Sequence, residues 1–290
     1  MNTQKNSFGS KTRCIRWSVL LLSIVGVCFQ GSAQSYVLNS KNSAVSIDIG
    51  SGPGGISNWT VDGVDQLQDS WFYYRAGAAG GESPIESIGG PTVNSYVNLA
   101  SFNKLDVTYA NASYSVRTLY SLGGSTSGSH KSGLTETLTI ANLTAAPLEF
   151  HFYQYSDFDL GGALGAQNVT FNYNAGTGSY SKVTQVSPGW SVTESVTSAA
   201  LGVSHVEAGL AGTTLADLLD GSPTTLNDVL TAGPGNGTFA YEWDVVLAPN
   251  ATAQISKILT VAPEPSALAL LTISALAYAL NNPNRRRRSE

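Results

Sequence analysis

The chain has 290 residues, 12% of them charged, and its only two cysteines, Cys14 and Cys28, lie near the N-terminus. Four basic residues precede residue 17 and four follow residue 284, so residues 34–262 keep seven Lys/Arg against eighteen Asp/Glu, a net charge of −11. Such a body has neither disulfide nor thiol chemistry, and its acidity excludes nucleic acid as a partner, because phosphates require a basic footprint.

The N-terminus begins with a basic segment (Lys5, Lys11, Arg13, Arg16), continues with nearly unbroken apolar sequence from Trp17 to Phe29 and ends in the small residues Gly31-Ser32-Ala33. This order predicts a signal-peptide helix over residues 1–33, cleaved after Ala33. The apolar run is short for a span, which needs about 20 residues.

From Gln34 onward helical periodicity is nearly absent. Runs rich in Val, Thr, Tyr and Phe alternate with Gly, Asn, Pro and Ser, the pattern of short antiparallel strands. Strands are expected near residues 44–49, 56–61, 71–76, 95–100, 105–110, 114–121, 134–141, 148–155, 169–173, 191–196, 238–247 and 252–261. Asp62-Gly63 marks a tight hairpin, and Ala248-Pro249-Asn250 joins the last two strands in the same manner. One short helix is expected at Thr214–Leu219, stopped by Gly221. Many strands and almost no helix make the body, residues 34–262, an all-β protein, a large antiparallel β-sandwich. Two tandem sandwiches meeting within residues 121–131 are the alternative.

Candidate chemistry concentrates in Pro147 to Gly162. Alternation places Leu148, Phe150 and Phe152 on a core face and Glu149, His151, Tyr153 and Tyr155 on the opposite one, continuing to Asp157 and Asp159. Aromatic rings beside carboxylates suit a sugar, the rings covering its C–H face and the carboxylates accepting from its hydroxyls. An ordinary solvated outer face has the same pattern. Asp157 and Asp159, followed by Gly161-Gly162, are candidate ligands for Ca²⁺, which takes oxygen donors; no other cofactor is indicated. Glu242 and Asp244 form a second acidic pair, read as the wet side of a strand whose other face carries Phe239, Tyr241 and Trp243. Glu136 shares an apolar face with Leu134, Leu138 and Ile140 and therefore needs a partner, for which Arg75 and Arg117 are the candidates.

The chain ends in Pro263-Glu264-Pro265, fourteen uncharged residues from Ala267 to Leu280, and the cluster Arg285, Arg286, Arg287 and Arg288. A basic cluster beside an apolar segment stays on the cytoplasmic side of a membrane. This order of features resembles the PEP-CTERM sorting signal. The resemblance covers about the last thirty residues and implies a hydrophobic tail helix, transient retention in the inner membrane and recognition by an exosortase, a membrane protease. It also implies a Gram-negative host that makes exopolysaccharide, with the processed protein at the cell surface or in the extracellular matrix. No nucleophile elbow, phosphate loop or zinc pattern is present. The expected role is therefore structural or adhesive and non-enzymatic. The alternatives are a carbohydrate-binding module using the Glu149–Asp159 face and a polysaccharide-active enzyme.

Overall fold

The computed structural model describes residues 34–50, 54–99, 102–176, 178–197 and 201–264. The expected signal peptide and the tail beyond Glu264 lie outside the described residues. Among these, no helix is long and apolar enough to cross a membrane. The described strands build two large sheets, as alternation without helical periodicity requires.

The chain starts in sheet A with β1 (Ser35–Ser40), β2 (Ser43–Asp48), β3 (Gly55–Val61), β4 (Val64–Asp65), β5 (Asp69–Ala76) and β6 (Ser83–Pro84). It crosses to sheet B for β7 (Thr92–Leu99), β8 (Phe102–Ala110), β9 (Tyr114–Gly124) and β10 (Ser132–Asn142), then returns to sheet A with β11 (Leu148–Asp157). Sheet B gains β12 (Gln167–Asn174), β13 (Ser179–Ser187) and β14 (Trp190–Val196); sheet A gains β15 (His205–Leu210). Helix α1 (Thr214–Leu218) precedes β16 (Thr231–Gly235) of sheet B, β17 (Gly237–Leu247) of sheet A and β18 (Thr252–Pro263) of sheet B. The spatial orders are β1-β2-β3-β5-β11-β17-β15, with β4 on β3 and β6 on β5, and β16-β12-β13-β14-β18-β10-β9-β8-β7. All strand pairs are antiparallel. Residues 125–131 form the hairpin between the paired strands β9 and β10.

Asp62-Gly63 turns β3 into β4 as expected, with φ of 51° and 79° at the two residues. That left-handed pair matches the right-handed strand twist. The second expected hairpin is not one. β17 and β18 lie in different sheets, so residues 248–251 arch across the sandwich. Asn142 ties this arch to the parallel crossing from β10 to β11: its Nδ2 donates to the carbonyls of Ala146 (2.7 Å), Leu247 (3.2 Å) and Ala248 (3.1 Å). Turn residues alone could not distinguish a hairpin from an arch, because both need the chain to reverse.

The interior is aromatic. Phe150 stacks on Tyr74 (5.7 Å between centroids) and Phe152 on Phe72 (5.6 Å), and Trp243 leans on Phe152 across the β11–β17 pair. Such pairs add about 0.5–1.5 kcal/mol each beyond burial. Between the sheets lies a charged cluster. Glu136 is buried with Leu134, Leu138 and Ile140, as the alternation predicts. Its partner is neither arginine: Arg75 pairs with Glu82 and Arg117 with Asp106. The cation is Lys257, directly opposite Glu136 in the β10–β18 register. Lys257 Nζ lies 2.6 Å from Glu136 Oε2 and 3.2 Å from Glu194 Oε1, also meets Gln154 Oε1, and sits 4.7 Å from the centroid of the Phe72 ring. A cationic partner had a sequence signal, since Lys257 alternates in phase with Ile255, Leu259 and Val261.

Candidate functional site

The outer face of sheet A holds the concentration of titratable groups. Alternation along β11 is as expected: Phe150 and Phe152 point inward, and Glu149, His151, Tyr153 and Tyr155 lie on the other side. That side, however, is solvated only at one end. Tyr153 and Tyr155 are buried, with 0% and 2% exposure, and so is Asp157. A strap formed by α1 and the residues that follow it covers Tyr153.

Three buried glutamates hold the strap by accepting its backbone N–H groups. Thr224 N donates to Glu82 Oε1 (2.9 Å), Leu226 N to Glu242 Oε2 (2.8 Å) and Asn227 N to Glu207 Oε2 (3.1 Å). The Tyr153 hydroxyl donates to the Thr224 carbonyl at 2.8 Å and reaches Glu242 Oε1 at 3.2 Å. The contact is tight at Gly81, where an added Cβ would stand 2.5 Å from the backbone of Gly221. Any side chain there would lift the strap. Tyr153 is therefore a floor residue under the strap, Tyr155 is buried as well, and neither presents a free ring to a ligand.

Where the strap ends, the face opens. The antiparallel register sets His151 of β11 opposite Asp244 of β17, Tyr153 opposite Glu242, and His205 of β15 opposite Glu242. His151 Nε2 lies 3.0 Å from Glu149 Oε1, and its Nδ1 meets Asp244 Oδ1. The ring thus has a carboxylate at each nitrogen. Asp244 is held from behind, its N–H donating to Ser204 Oγ at 2.8 Å. Glu242 is fully buried next to it. Burial, only partly offset by the Leu226 N–H, and the neighbouring Asp244 push its carboxyl up to about 7. Glu242 is not the wet residue that the strand pattern predicted, whereas Asp244 is exposed. The result is a chain of proton-carrying groups, from solvent at Glu149 through His151 and Asp244 to a carboxyl that exchanges its proton near neutral pH. Donor atoms of His151, Glu242 and Asp244 lie within 4.8 Å of one another, spacing that would also admit a metal ion.

Two tyrosines outside the expected set lie on sheet B and approach the edge of sheet A through Asp228. Tyr173 and Tyr180 pair directly across β12 and β13 with centroids 5.0 Å apart, and Tyr173 is 50% exposed. Desolvation and then the nearby Asp228 carboxylate raise the Tyr180 phenol. Asp228 Oδ2 in turn lies 3.1 Å from His205 Nδ1, from whose N–H it accepts in the tautomer that carries one. Tyr180 lies in β13, a strand absent from the expected set, so alternation gave no sign of this pair.

At the far end of β11, Asp157 stands opposite Asp69 of β5, and Asp159 follows two residues on. Burial first, then Asp157, raises Asp69 to about 6; burial first, then Asp159, raises Asp157 to about 6. Of the expected sorting motif, Pro263 closes β18 opposite Trp190, and Glu264 N donates to Gly189 O at 3.2 Å. Pro265 and Arg285 to Arg288 lie outside the described residues.

No protein-family model matches the sequence, and no curated protein resembles it. Solved structures do share the architecture. A bacterial glucoamylase complexed with acarbose superposes with a TM-score of 0.52 at 11% identity, over 88% of this chain and 37% of that one, so the likeness spans little more than a third of the glucoamylase. A putative aldose 1-epimerase from Escherichia coli K12 matches with a TM-score of 0.49 at 12% identity, covering 80% of this chain and 99% of that one. A galactose mutarotase-like protein from Clostridium acetobutylicum matches with a TM-score of 0.49 at 10% identity, covering 80% and 96%. At these identities the likeness is one of fold. The expectation of a structural or adhesive, non-enzymatic sandwich is not upheld, because the architecture is one the chain shares with a bacterial glucoamylase.

Proposed function

We propose that this chain is a carbohydrate-active protein whose sugar site is the open end of the sheet A face, with His151 and Asp244 as its acid–base pair. The observation that carries this reading is the chain Glu149–His151–Asp244–Glu242, solvent-accessible at one end and buried at the other. An imidazole moves protons in the range where sugar hydroxyls must be activated by a base. Glu149 and Asp244 accept from hydroxyls, and Tyr173–Tyr180 offers ring surface to the C–H face of a sugar. The sugar chemistry named for proteins of similar fold supports the substrate class.

The burial of Glu242 favours one reaction type. A glycoside hydrolase needs two carboxyl groups flanking the scissile bond, whereas Glu242 is buried beneath the strap beside the exposed Asp244. Proton exchange between a sugar hydroxyl and a ring oxygen, which opens and recloses the ring, needs no such flanking pair. Polarimetry of freshly dissolved α-anomers of reducing sugars tests this. The wild-type protein is expected to accelerate equilibration, and His151→Asn to lose about 10²- to 10⁴-fold of that acceleration. No acceleration, together with no binding on a glycan array, would overturn the assignment. A second reading, binding without turnover, is favoured by the burial of Glu242 beneath the strap; array binding that survives His151→Asn without any catalysis would establish it.

We further propose that the protein is exported and loses its tail by exosortase cleavage near Pro263-Glu264-Pro265, which would place the sugar site among extracellular polysaccharide. The support is the order of the terminal features alone. Mass spectrometry of the mature protein should find no peptide from residues 267–290. Recovery of the arginine cluster on most mature molecules would refute it.

A further inference from the structure

We propose that Lys257 and Gln154 are the reactants of an intramolecular amide bond that joins the two sheets through the core, with Glu194 transferring the protons. The pair lies in the interior, apart from the sugar face. Lys257 stands on β18 of sheet B and Gln154 on β11 of sheet A, so they meet across the sandwich rather than along one sheet. Lys257 Nζ donates to Gln154 Oε1. The electrophilic Cδ of Gln154 lies one carbonyl bond, about 1.23 Å, beyond that oxygen. An amine held against an acyl carbon in this way reacts without the cost of a bimolecular encounter.

Glu194 favours the Gln154 amide as the electrophile. Its Oε1 lies 3.2 Å from Lys257 Nζ, and its Oε2 accepts from Gln154 Nε2 at 3.1 Å. One carboxyl group therefore touches both the nucleophile and the nitrogen that must leave. Ser156 Oγ also accepts from Nε2, at 3.1 Å, and Phe72, opposite Gln154 in the β5–β11 register, sets its ring 4.7 Å from Nζ. Gln154, Glu194 and Lys257 have no exposed surface, which excludes water as a competing nucleophile. Burial pushes the Glu194 carboxyl up to about 7, so it has a proton to give near neutral pH.

Glu136, 2.6 Å from Nζ, takes one proton from the ammonium. The freed lone pair forms a C–N bond to Gln154 Cδ while the carbonyl oxygen takes a proton from Glu194. Glu194 then accepts a proton from the new nitrogen and passes it to Nε2. The carbonyl re-forms as its proton returns to Glu194, the Cδ–Nε2 bond breaks and ammonia leaves. Nothing is oxidised or reduced, and the ammonium and the Glu136 carboxylate are neutralised together. Until this step the cluster is ionic and its charges govern stability. Afterwards residues 154–257 are closed into a covalent loop, in a chain whose described residues contain no cysteine.

Tryptic mapping of the denatured full-length protein tests the bond. Cleavage after Lys131 and Lys182 should release Gln154 in the peptide 132–182, joined to a peptide that starts at residue 183 and runs uncut through Lys257. The joined mass should fall short of its two parts by one ammonia, with fragmentation placing the branch at Gln154. Separate peptides, with trypsin cutting after Lys257, would overturn the proposal. So would a branch from Lys257 to Glu136 or Glu194 that has lost one water. Gln154→Met keeps the bulk of the side chain without its acyl carbon and should give only separate peptides. Glu194→Gln retains the Lys257–Glu136 pair and should fold, yet in freshly synthesised protein sampled over time it should form the joined peptide about 10²-fold more slowly. Joining at the wild-type rate in that variant would overturn the role of Glu194.

Discussion

Lys257→Met is expected to destabilise the sandwich by about 3–5 kcal/mol, the cost of leaving buried charge without its counter-ion. Nothing else in the interior could take over. Lys257 Nζ has three donors and three acceptors around it, on Glu136, Glu194 and Gln154, and an aromatic face at Phe72. Removing it would leave two buried carboxyl groups facing each other. The arrangement already holds two acids for one cation, and Glu194 bears the consequence. Burial pushes its carboxyl up to about 7, with Lys257 opposing and Glu136 adding to the rise. The ranking of variants follows. Glu194→Gln leaves a balanced Lys257–Glu136 pair and should cost about 1 kcal/mol or less, whereas Glu136→Ala removes a direct ion contact and opens a cavity, so it should cost more. Replacing Lys257, Glu136 and Glu194 together by apolar residues should recover most of the loss. Urea unfolding measures this as a shift in midpoint at constant slope. A Lys257→Met protein as stable as the wild type would show that the cluster is not the electrostatic centre of the core.

Stability is also expected to increase as the pH is lowered from about 8 to about 5, contrary to the common trend for proteins with paired carboxylates. Glu194 and Glu242 are pushed up to about 7, and Asp69 and Asp157 to about 6. In the unfolded chain these groups titrate near 4.5 and 3.8. Between those values and the raised ones, the folded state holds protons that the unfolded state has released. The stability is thus lost as the pH rises through the raised values and is regained on acidification. Glu194, wholly buried, contributes on the order of 3 kcal/mol over that interval; Glu242, nearer the open end of the face, contributes less. Below about pH 4 the sign reverses, because the Arg117 guanidinium holds Asp106 below its ordinary value, and protonating that carboxylate costs stability. Calorimetry from pH 4 to 9 should find the highest Tm near pH 5, and Glu194→Gln should flatten the slope between about pH 5 and pH 7. A Tm that climbs steadily from pH 5 to 8 would contradict the buried-acid account.

Much of this architecture was legible in the sequence because strand alternation is local. The inward side of β10, Glu136 included, follows from Leu134, Leu138 and Ile140; the division of β11 into Phe150 and Phe152 against Glu149 and His151 follows likewise; and Asp62-Gly63 specifies its own turn. Alternation determines which residues share a side. It does not determine what covers that side, which is why Tyr153 and Tyr155 are correctly faced yet buried, Tyr153 under a strap drawn from residues some seventy positions later. Nor does it determine which strands meet. His151 and Asp244 are 93 residues apart and become neighbours only through the β11–β17 register. Lys257 reaches Glu136 only because β18 crosses to sheet B rather than folding back on β17. Composition and period thus determined the sandwich and the chemistry available on each strand. Long-range pairing, set by the packing of the two sheets and the seating of the strap, decided which groups meet and which of them reach solvent.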